Sequence, residues 1–382
     1  MIDYVEIRDP STRQLIGICD TAKSVIWQAV YFGVGEFEIY APATLKNRSL
    51  LKDGYFVTRT NDINCGIIDN IEITDNPQDG MMIVASGKFA KNILSQRIIY
   101  RFVSTYSITA ATLYGNVASE CWRLIDENCG AAAPTYRQFP KFGRGTINDL
   151  PAVIVDDNGN NARKQVTYDS LLEYTDALLQ EYGYGAYVWL DNFTGELLYV
   201  MYNGADRSAD NTDGNTPIIF SPDFDNLLST EYTANTSNNR TTAIIGGQGE
   251  GLERFVTLIG DNVGGYARRE LWVDKNGVAK TVKNESDEEI TYTDAEYNNI
   301  LITEGKKALS EYRNIETFRG EMDLNGSRFV YGTDFTVGDI VTIENKRIGK
   351  QADCRILSAT EVQDENGYNI SCEYETIGGG AA

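Results

Sequence analysis

Short runs in which apolar and polar residues alternate, each ended by turn formers, constrain this chain more than any other feature. Alternation at period two builds strands with one buried face. Tyr4-Val5-Glu6-Ile7 and Phe37-Glu38-Ile39-Tyr40 are two such runs. The clearest pair is Gly66 to Ile73 with Met81 to Gly87, and between them Asp75-Asn76-Pro77-Gln78-Asp79-Gly80 supplies hairpin dihedrals through Pro and Gly. Residues 1–99 therefore read as a first β domain, closed by a short helix over Lys88 to Leu94. A length of 382 residues exceeds one ordinary core, so two to four domains are expected.

The pattern changes over residues 100–216. Thr109 to Asn128 places Leu113, Val117, Cys121, Leu124 and Ile125 at helical spacing. Thr167 to Tyr182 is the best helix in the sequence, with Thr167 or Asp169 as its cap, Leu171, Leu172, Thr175, Leu178 and Leu179 as its buried stripe, and Gly183 at its end. A strand pair, Ala186 to Leu190 and Leu197 to Tyr202, follows. Residues 217–319 return to strands, Thr241 to Gly246 and Arg254 to Ile259, and then a charged helix from Thr293 to Asn314. Over 320–377, Phe329 to Tyr331, Asp339 to Ile343, Asp353 to Ala359 and Tyr368 to Tyr374 alternate like barrel strands, with a tight turn at Asp364-Glu365-Asn366-Gly367. Residues 378–382 read as a flexible Gly tail. The fold class is α+β and multidomain.

Composition removes whole function classes. The chain has no His, which rules out Ser-His-Asp triads, Cys-His dyads, HExxH zinc sites and haem ligation by imidazole. With 34 Lys and Arg against 55 Asp and Glu, the net charge is −21, and broad affinity for DNA or anionic membrane is not expected. No basic-then-apolar leader opens the sequence and no apolar run approaches the ~20 residues of a bilayer span, so no membrane anchor and cytoplasmic synthesis are expected. Cys19, Cys65, Cys121, Cys129, Cys354 and Cys372 form no CxxC and read as buried free thiols, with disulfides as the alternative. Eight residues of helix would hold Cys121 and Cys129 ~12 Å apart, too far to bridge.

Each candidate for chemistry has a plainer reading. Gly246-Gly247-Gln248-Gly249-Glu250-Gly251 matches neither GxGxxG nor GxxxxGK[ST], and Glu250 and Glu253 stand where phosphate would sit, so a hairpin loop is expected. Asp206, Asp210 and Asp213-Gly214, like Asp156-Asp157-Asn158-Gly159, lack the closing glutamate of a calcium loop and read as solvated turns, with adventitious calcium as the alternative. Asp287-Glu288-Glu289 reads as solvated surface. Tyr182, Tyr184, Tyr187 and Trp189 read first as cross-strand packing and second as an interface. No residue is assigned to catalysis, to a cofactor or to a metal.

Several segments, in this order, resemble the tail hub proteins of siphophages and prophages. They are Ser24 to Trp27 with Gly35 to Pro42; Gly66 to Ile71; Val84 to Gly87 with Ile93 to Arg97; Tyr168 to Leu172 with Gly183 to Gly185; Ile219 to Ser221 with Asp225 to Leu227; Gly247 to Gly251 with Arg254; Arg268 to Glu270 with Val273 and Asp274; and Phe335 to Val341. The resemblance implies a baseplate-hub-like fold with two β-barrel-like domains flanking mixed α/β domains. It implies a homotrimeric ring at the tail tip or baseplate that joins the sixfold tail tube to a threefold tip and encloses the DNA channel. Implied partners are tail tube and distal tail proteins, the tape measure protein, and tail fibre or receptor-binding proteins, with DNA passing through unheld. The implied place is the virion tail, assembled in the host cytoplasm, and the protein is expected not to be an enzyme. Nothing large follows Tyr374, so receptor-binding or hydrolase modules are expected on separate chains. Channel-facing positions are expected to be mainly Asp, Glu, Asn, Ser and Thr. The readings from other classes are a cell-wall glycan hydrolase working through paired carboxylates and a carbohydrate-binding module.

Overall fold

A computed structural model describes residues 4–60, 62–78, 80–104, 107–145, 150–155, 161–224, 226–227, 229–261, 263–283, 289–312, 315–321 and 328–376. Its chain forms two compact units, the first drawn from Met1–Ile154, Asn161–Glu231 and Phe318–Ile377, the second centred on Tyr232–Thr317.

In the first unit the alternating runs become strands β1 (Val5–Arg8), β2 (Leu15–Cys19), β3 (Ser24–Val30), β4 (Glu36–Pro42), β5 (Phe56–Arg59), β6 (Cys65–Asn76) and β7 (Gly80–Phe89). They lie in one sheet in the order β3-β4-β7-β6-β5-β1-β2. On the free side of β3 the sheet continues into Lys350–Asp364 and Gly367–Thr376, because Ser358 to Gln363 pairs antiparallel with β3. The β regions at 1–99 and 320–377, expected as separate barrels, thus share a sheet, and among the described residues no sheet closes on itself. The reason lies in length. Lys350–Asp364 pairs with Ile340–Asn345 along its first part and still has residues enough to take β3 along its second.

Burial cements this join. Trp27 on β3 is fully buried, with ring centroids 5.6 Å from Phe37 and 4.8 Å from Phe89. The Arg59 guanidinium lies 5.2 Å over the Trp27 ring and donates at 2.8 Å to the buried Glu361 carboxylate. Part of the C-terminal pattern departs from expectation. Phe329 to Tyr331 makes no strand, only a bridge from Tyr331 to Phe335, because Gly332 N–H donates to Phe335 C=O at 2.8 Å and turns the chain back. The segment Lys88 to Leu94 is likewise shifted: β7 runs through Phe89, and a 3₁₀ helix occupies Ala90–Gln96.

The mixed layer of this unit packs helices on a small sheet. After α1 (Leu45–Leu50) come α2 (Val117–Cys129) and α3 (Leu171–Glu181). The second helix starts later than Thr109 because Ala111–Leu113 is a strand and the Asn116 side chain caps the helix, accepting from Ser119 N–H. The third is capped by Ser170, not by Thr167 or Asp169, through the Glu173 N–H, and its five expected stripe residues are all buried. Gly185–Leu190 and Leu197–Tyr202 pair antiparallel as expected, with Phe142–Arg144 parallel alongside.

In the second unit Thr242–Gly246 lies between antiparallel Val256–Gly260 and parallel Glu270–Asp274. Helix α4 (Asp294–Ser310) buries Tyr297, Leu301 and Gly305 and clusters with Ala243, Ile245 and Val273. Thr293 and Glu296 form a capping box at its start. The helix ends at Ser310, short of the expected Asn314, which lies outside the described residues.

All six cysteines are free and buried, and Cys121 and Cys129 both sit on α2. Burial pushes the thiols of Cys65, Cys121, Cys129, Cys354 and Cys372 up to about 12. Since the thiolate is the reactive form, a thiol-specific disulfide reagent at pH 8 is expected to leave the native chain untouched. The same reagent should modify six cysteines per chain in denaturant, and fast native labelling of any of those five would contradict their burial.

Candidate functional site

The shared sheet has one face on the core and one face open. Register fixes which side chains stand together on the open face. One cross-strand row runs Ser371, Thr360, Gln28, Glu36, Lys88. The next runs Asn369, Val362, Ile26, Glu38, Ser86, Asn70. Alternation puts Trp27, Phe37 and Ala85 on the opposite, buried face. Lys88 stands directly opposite Glu36, so the one cation in these rows is matched by a carboxylate across the strand pair.

A groove of about 480 Å³ crosses this face, lined by Gln28, Glu36, Glu38, Asp69, Ser86 and Thr360 among others. Asp69 reaches it through a β-bulge, because the pairing of β6 with β7 shifts between Ile68 and Asn70. The bulge requires Gly87 opposite: a Cβ there would stand 1.9 Å from the Ile67 carbonyl oxygen. Glu36 and Glu38 are two residues apart on one strand face, ~7 Å along the strand. That spacing suits paired carboxylates. Both are exposed. The groove's one aromatic residue, Phe37, is buried, so it offers no platform for a sugar ring.

The other candidate residues are used inside the fold. In the Gly246 to Gly251 loop two amides are used inside the fold: Gly247 N–H donates to Phe255 C=O, and Gln248 N–H to the Tyr297 hydroxyl. Arg254 closes the loop by donating to the carbonyls of Gly246 and Gly247. Asp206 accepts from Ser208 N–H, an ordinary turn contact, and among the described residues no three His, Cys, Asp or Glu side chains converge. Asp156 to Gly159, Asp287 and Glu288 lie outside the described residues. Tyr184 is buried and its hydroxyl accepts from Ala152 N–H, Tyr187 stacks edge-on against Tyr202, and Trp189 is exposed.

Phe335 to Val341 turns out to be a joint. The buried Asp339 carboxylate accepts from Ala205 N–H at 2.8 Å, Thr336 N–H at 3.1 Å and Arg207 Nε at 3.1 Å. Tyr31, at the end of β3, donates its hydroxyl to Gly183 C=O at 2.9 Å, and Arg355 donates to Gly338 C=O at 2.7 Å while lying 5.1 Å over the Tyr31 ring. Three stretches distant in sequence meet there. The cross-strand rows were not foreseen from sequence. Each member was visible as an outward polar position, but only strand order brings them together.

The family described as Siphovirus ReqiPepy6 Gp37-like protein matches residues 4–373. No curated protein matches the chain. Three solved structures are similar in fold across nearly all of it. The prophage MuSo2 43 kDa tail protein from Shewanella oneidensis has 11% identity and a TM-score of 0.57, with 98% of each chain covered. The tail protein from Neisseria meningitidis MC58 has 13% identity and a TM-score of 0.55, covering 99% of this chain and 98% of that one. Prophage tail protein gp18 from Listeria monocytogenes EGD-e has 11% identity and a TM-score of 0.53, covering 97% and 94%.

Proposed function

The chain belongs to the Siphovirus ReqiPepy6 Gp37-like family of siphovirus tail proteins, with its place in the virion tail, and from that premise we propose that it is a structural hub of the tail tip or baseplate. Three copies form a ring joining the sixfold tube to a threefold tip, and the open face of the shared sheet lines the channel through which DNA passes. One observation carries this reading: beside Ile26 and Val362, the two rows of that face present Ser, Thr, Asn, Gln and Glu across register, with their one Lys standing opposite Glu36. A phosphate backbone sliding past such a surface meets repulsion and nothing that holds it, whereas clustered Lys or Arg would bind it. Among the described residues each copy brings a sheet that is not closed in itself, and lateral contact between copies would cover its edges. The neighbours this ring serves are tail tube and distal tail proteins, the tape measure protein, and fibre or receptor-binding proteins. It works without catalysis.

Electron microscopy of the purified chain is expected to show threefold rings with a central opening. Phage assembled with Glu36→Lys and Glu38→Lys together are expected to eject DNA several-fold more slowly at low salt, with the rate recovering as salt screens the new cations. A monomer under the microscope, or ejection indifferent to both substitutions, would overturn the reading.

A further inference from the structure

Two strands far apart in the sheet order meet through buried side chains. Arg59 ends β5 and Glu361 lies on Lys350–Asp364, with β3, β4, β7 and β6 between them. In a flat sheet five steps of ~4.8 Å would hold these strands ~24 Å apart, beyond the reach of two side chains. Arg59 Nη2 nevertheless donates to Glu361 Oε2 at 2.8 Å. The sheet is therefore curled, and side chains close what its backbone leaves open. Trp27 lies beneath the contact, since it stands opposite Glu361 in register and carries the Arg59 guanidinium over its ring. A second carboxylate shares that guanidinium. Asp62 Oδ2 stands 3.7 Å from the same Nη2, while its Oδ1 accepts from Asn64 N–H at 2.7 Å and Asn64 Nδ2 at 3.0 Å. The Tyr368 hydroxyl donates to Glu361 from the neighbouring strand. Little of Arg59, Asp62 or Glu361 reaches water.

One guanidinium between two buried carboxylates leaves a surplus negative charge whenever both are ionised. Among the described residues Arg59 is the one cation within ion-pair distance of either. Arg8, on neighbouring β1, turns instead to Glu6 and Thr58. The hydroxyls of Tyr331 and Tyr368 and the thiols of Cys65 and Cys372 feel the same carboxylates, and burial keeps all four protonated. A proton on a carboxylate relieves the surplus. Glu361 is tied by Arg59 and Tyr368, so Asp62, at the longer distance, is the one to take it. We propose that Arg59, Asp62 and Glu361 form a latch that pins the hairpin 350–376 across the curled sheet, and that a proton on Asp62 tightens it. Burial lifts the Asp62 carboxyl above its ordinary 3.8, and Glu361 adds to the lift against the pull of Arg59 and Asn64. The latched chain thus binds this proton more tightly than an unlatched one, in which Asp62 meets water. The tightening is complete below the ordinary value and is lost as pH rises through the raised one. A lone carboxylate and guanidinium pair behaves the other way, since acid discharges its anion.

The test reads the hairpin itself, because the buried Asp176 carboxyl gives the whole chain a slope of the same sign. Hydrogen exchange of the Gly367–Thr376 amides in the full chain is compared between wild type and Asp62→Asn from pH 4 to pH 7, the ratio at each pH removing the intrinsic rate. Wild type is expected to match Asp62→Asn in acid and to exchange several-fold faster at neutral pH, while the amides of α4 exchange alike in both. Glu361→Gln, which leaves Arg59 to Asp62 alone, should flatten that dependence. If Asp62→Asn fails to fold, the wild type's own dependence, referred to its α4 amides, decides the sign. Equal exchange of wild type and Asp62→Asn at every pH overturns the latch, as does a wild-type hairpin that loses protection in acid. A Glu361→Gln variant that keeps the full dependence overturns the sharing of Arg59.

Discussion

Gly338→Ala is expected to lower the unfolding free energy by about 2–5 kcal/mol, made up of roughly 1–2 for a left-handed backbone and ~1–3 for overpacking. Gly338 holds φ +97°, where a side chain is strained, and a Cβ there would stand 2.4 Å from Cε2 of Tyr31. The ring cannot step aside. It is fully buried, packs edge-on against Tyr202 at 5.2 Å, and its hydroxyl is bonded to Gly183 C=O. Moving Gly338 instead would pull its N–H from Ile356 C=O and its carbonyl from Arg355. Gly332→Ala is the control, since Gly332 has φ +79° with open space around the added Cβ, and should lose only the backbone part. Urea unfolding at constant slope measures both. Equal losses for the two variants would mean that the Tyr31 contact contributes nothing.

How much of this joint could be read from sequence depends on what local pattern encodes. Spacing encodes which face of an element is buried, so the stripe of α3 from Leu171 to Leu179 and the pairing of Gly185–Leu190 with Leu197–Tyr202 were legible in outline. The cap was not, because Thr167, Asp169 and Ser170 are chemically interchangeable as acceptors, and only the helix's first turn selects Ser170. Strand order is a tertiary property. Gln28, Thr360 and Ser371 each read as outward polar positions, yet nothing local to β3 says that its partner is Ser358 to Gln363 from the far end of the chain. The open acidic face was therefore present in the sequence residue by residue and absent as a surface.

Breaking the ion pair of Lys91 and Asp176 is expected to have an effect of similar size and a different signature. Lys91 Nζ lies 2.9 Å from Asp176 Oδ1, joining the 3₁₀ helix Ala90–Gln96 to α3, and both side chains are largely removed from water. Replacing one partner, Asp176→Leu or Lys91→Met, leaves a buried charge uncompensated and should cost about 3–5 kcal/mol. Replacing both should be neutral or stabilising, because the desolvation of two ions is then avoided. Burial raises the Asp176 carboxyl above its ordinary 3.8, against the opposing pull of Lys91. The folded chain therefore binds this proton more tightly than the unfolded chain does. The resulting stabilisation is complete below the ordinary carboxylate value and is lost as pH rises through the raised one. Wild type should lose stability across that mildly acidic window, and the Lys91→Met, Asp176→Leu double variant should lack that part of the slope. Unfolding curves collected from pH 4 to pH 7 would separate the two. A double variant as unstable as the single ones would show that the pair itself, and not the orphaned charge, holds these elements together.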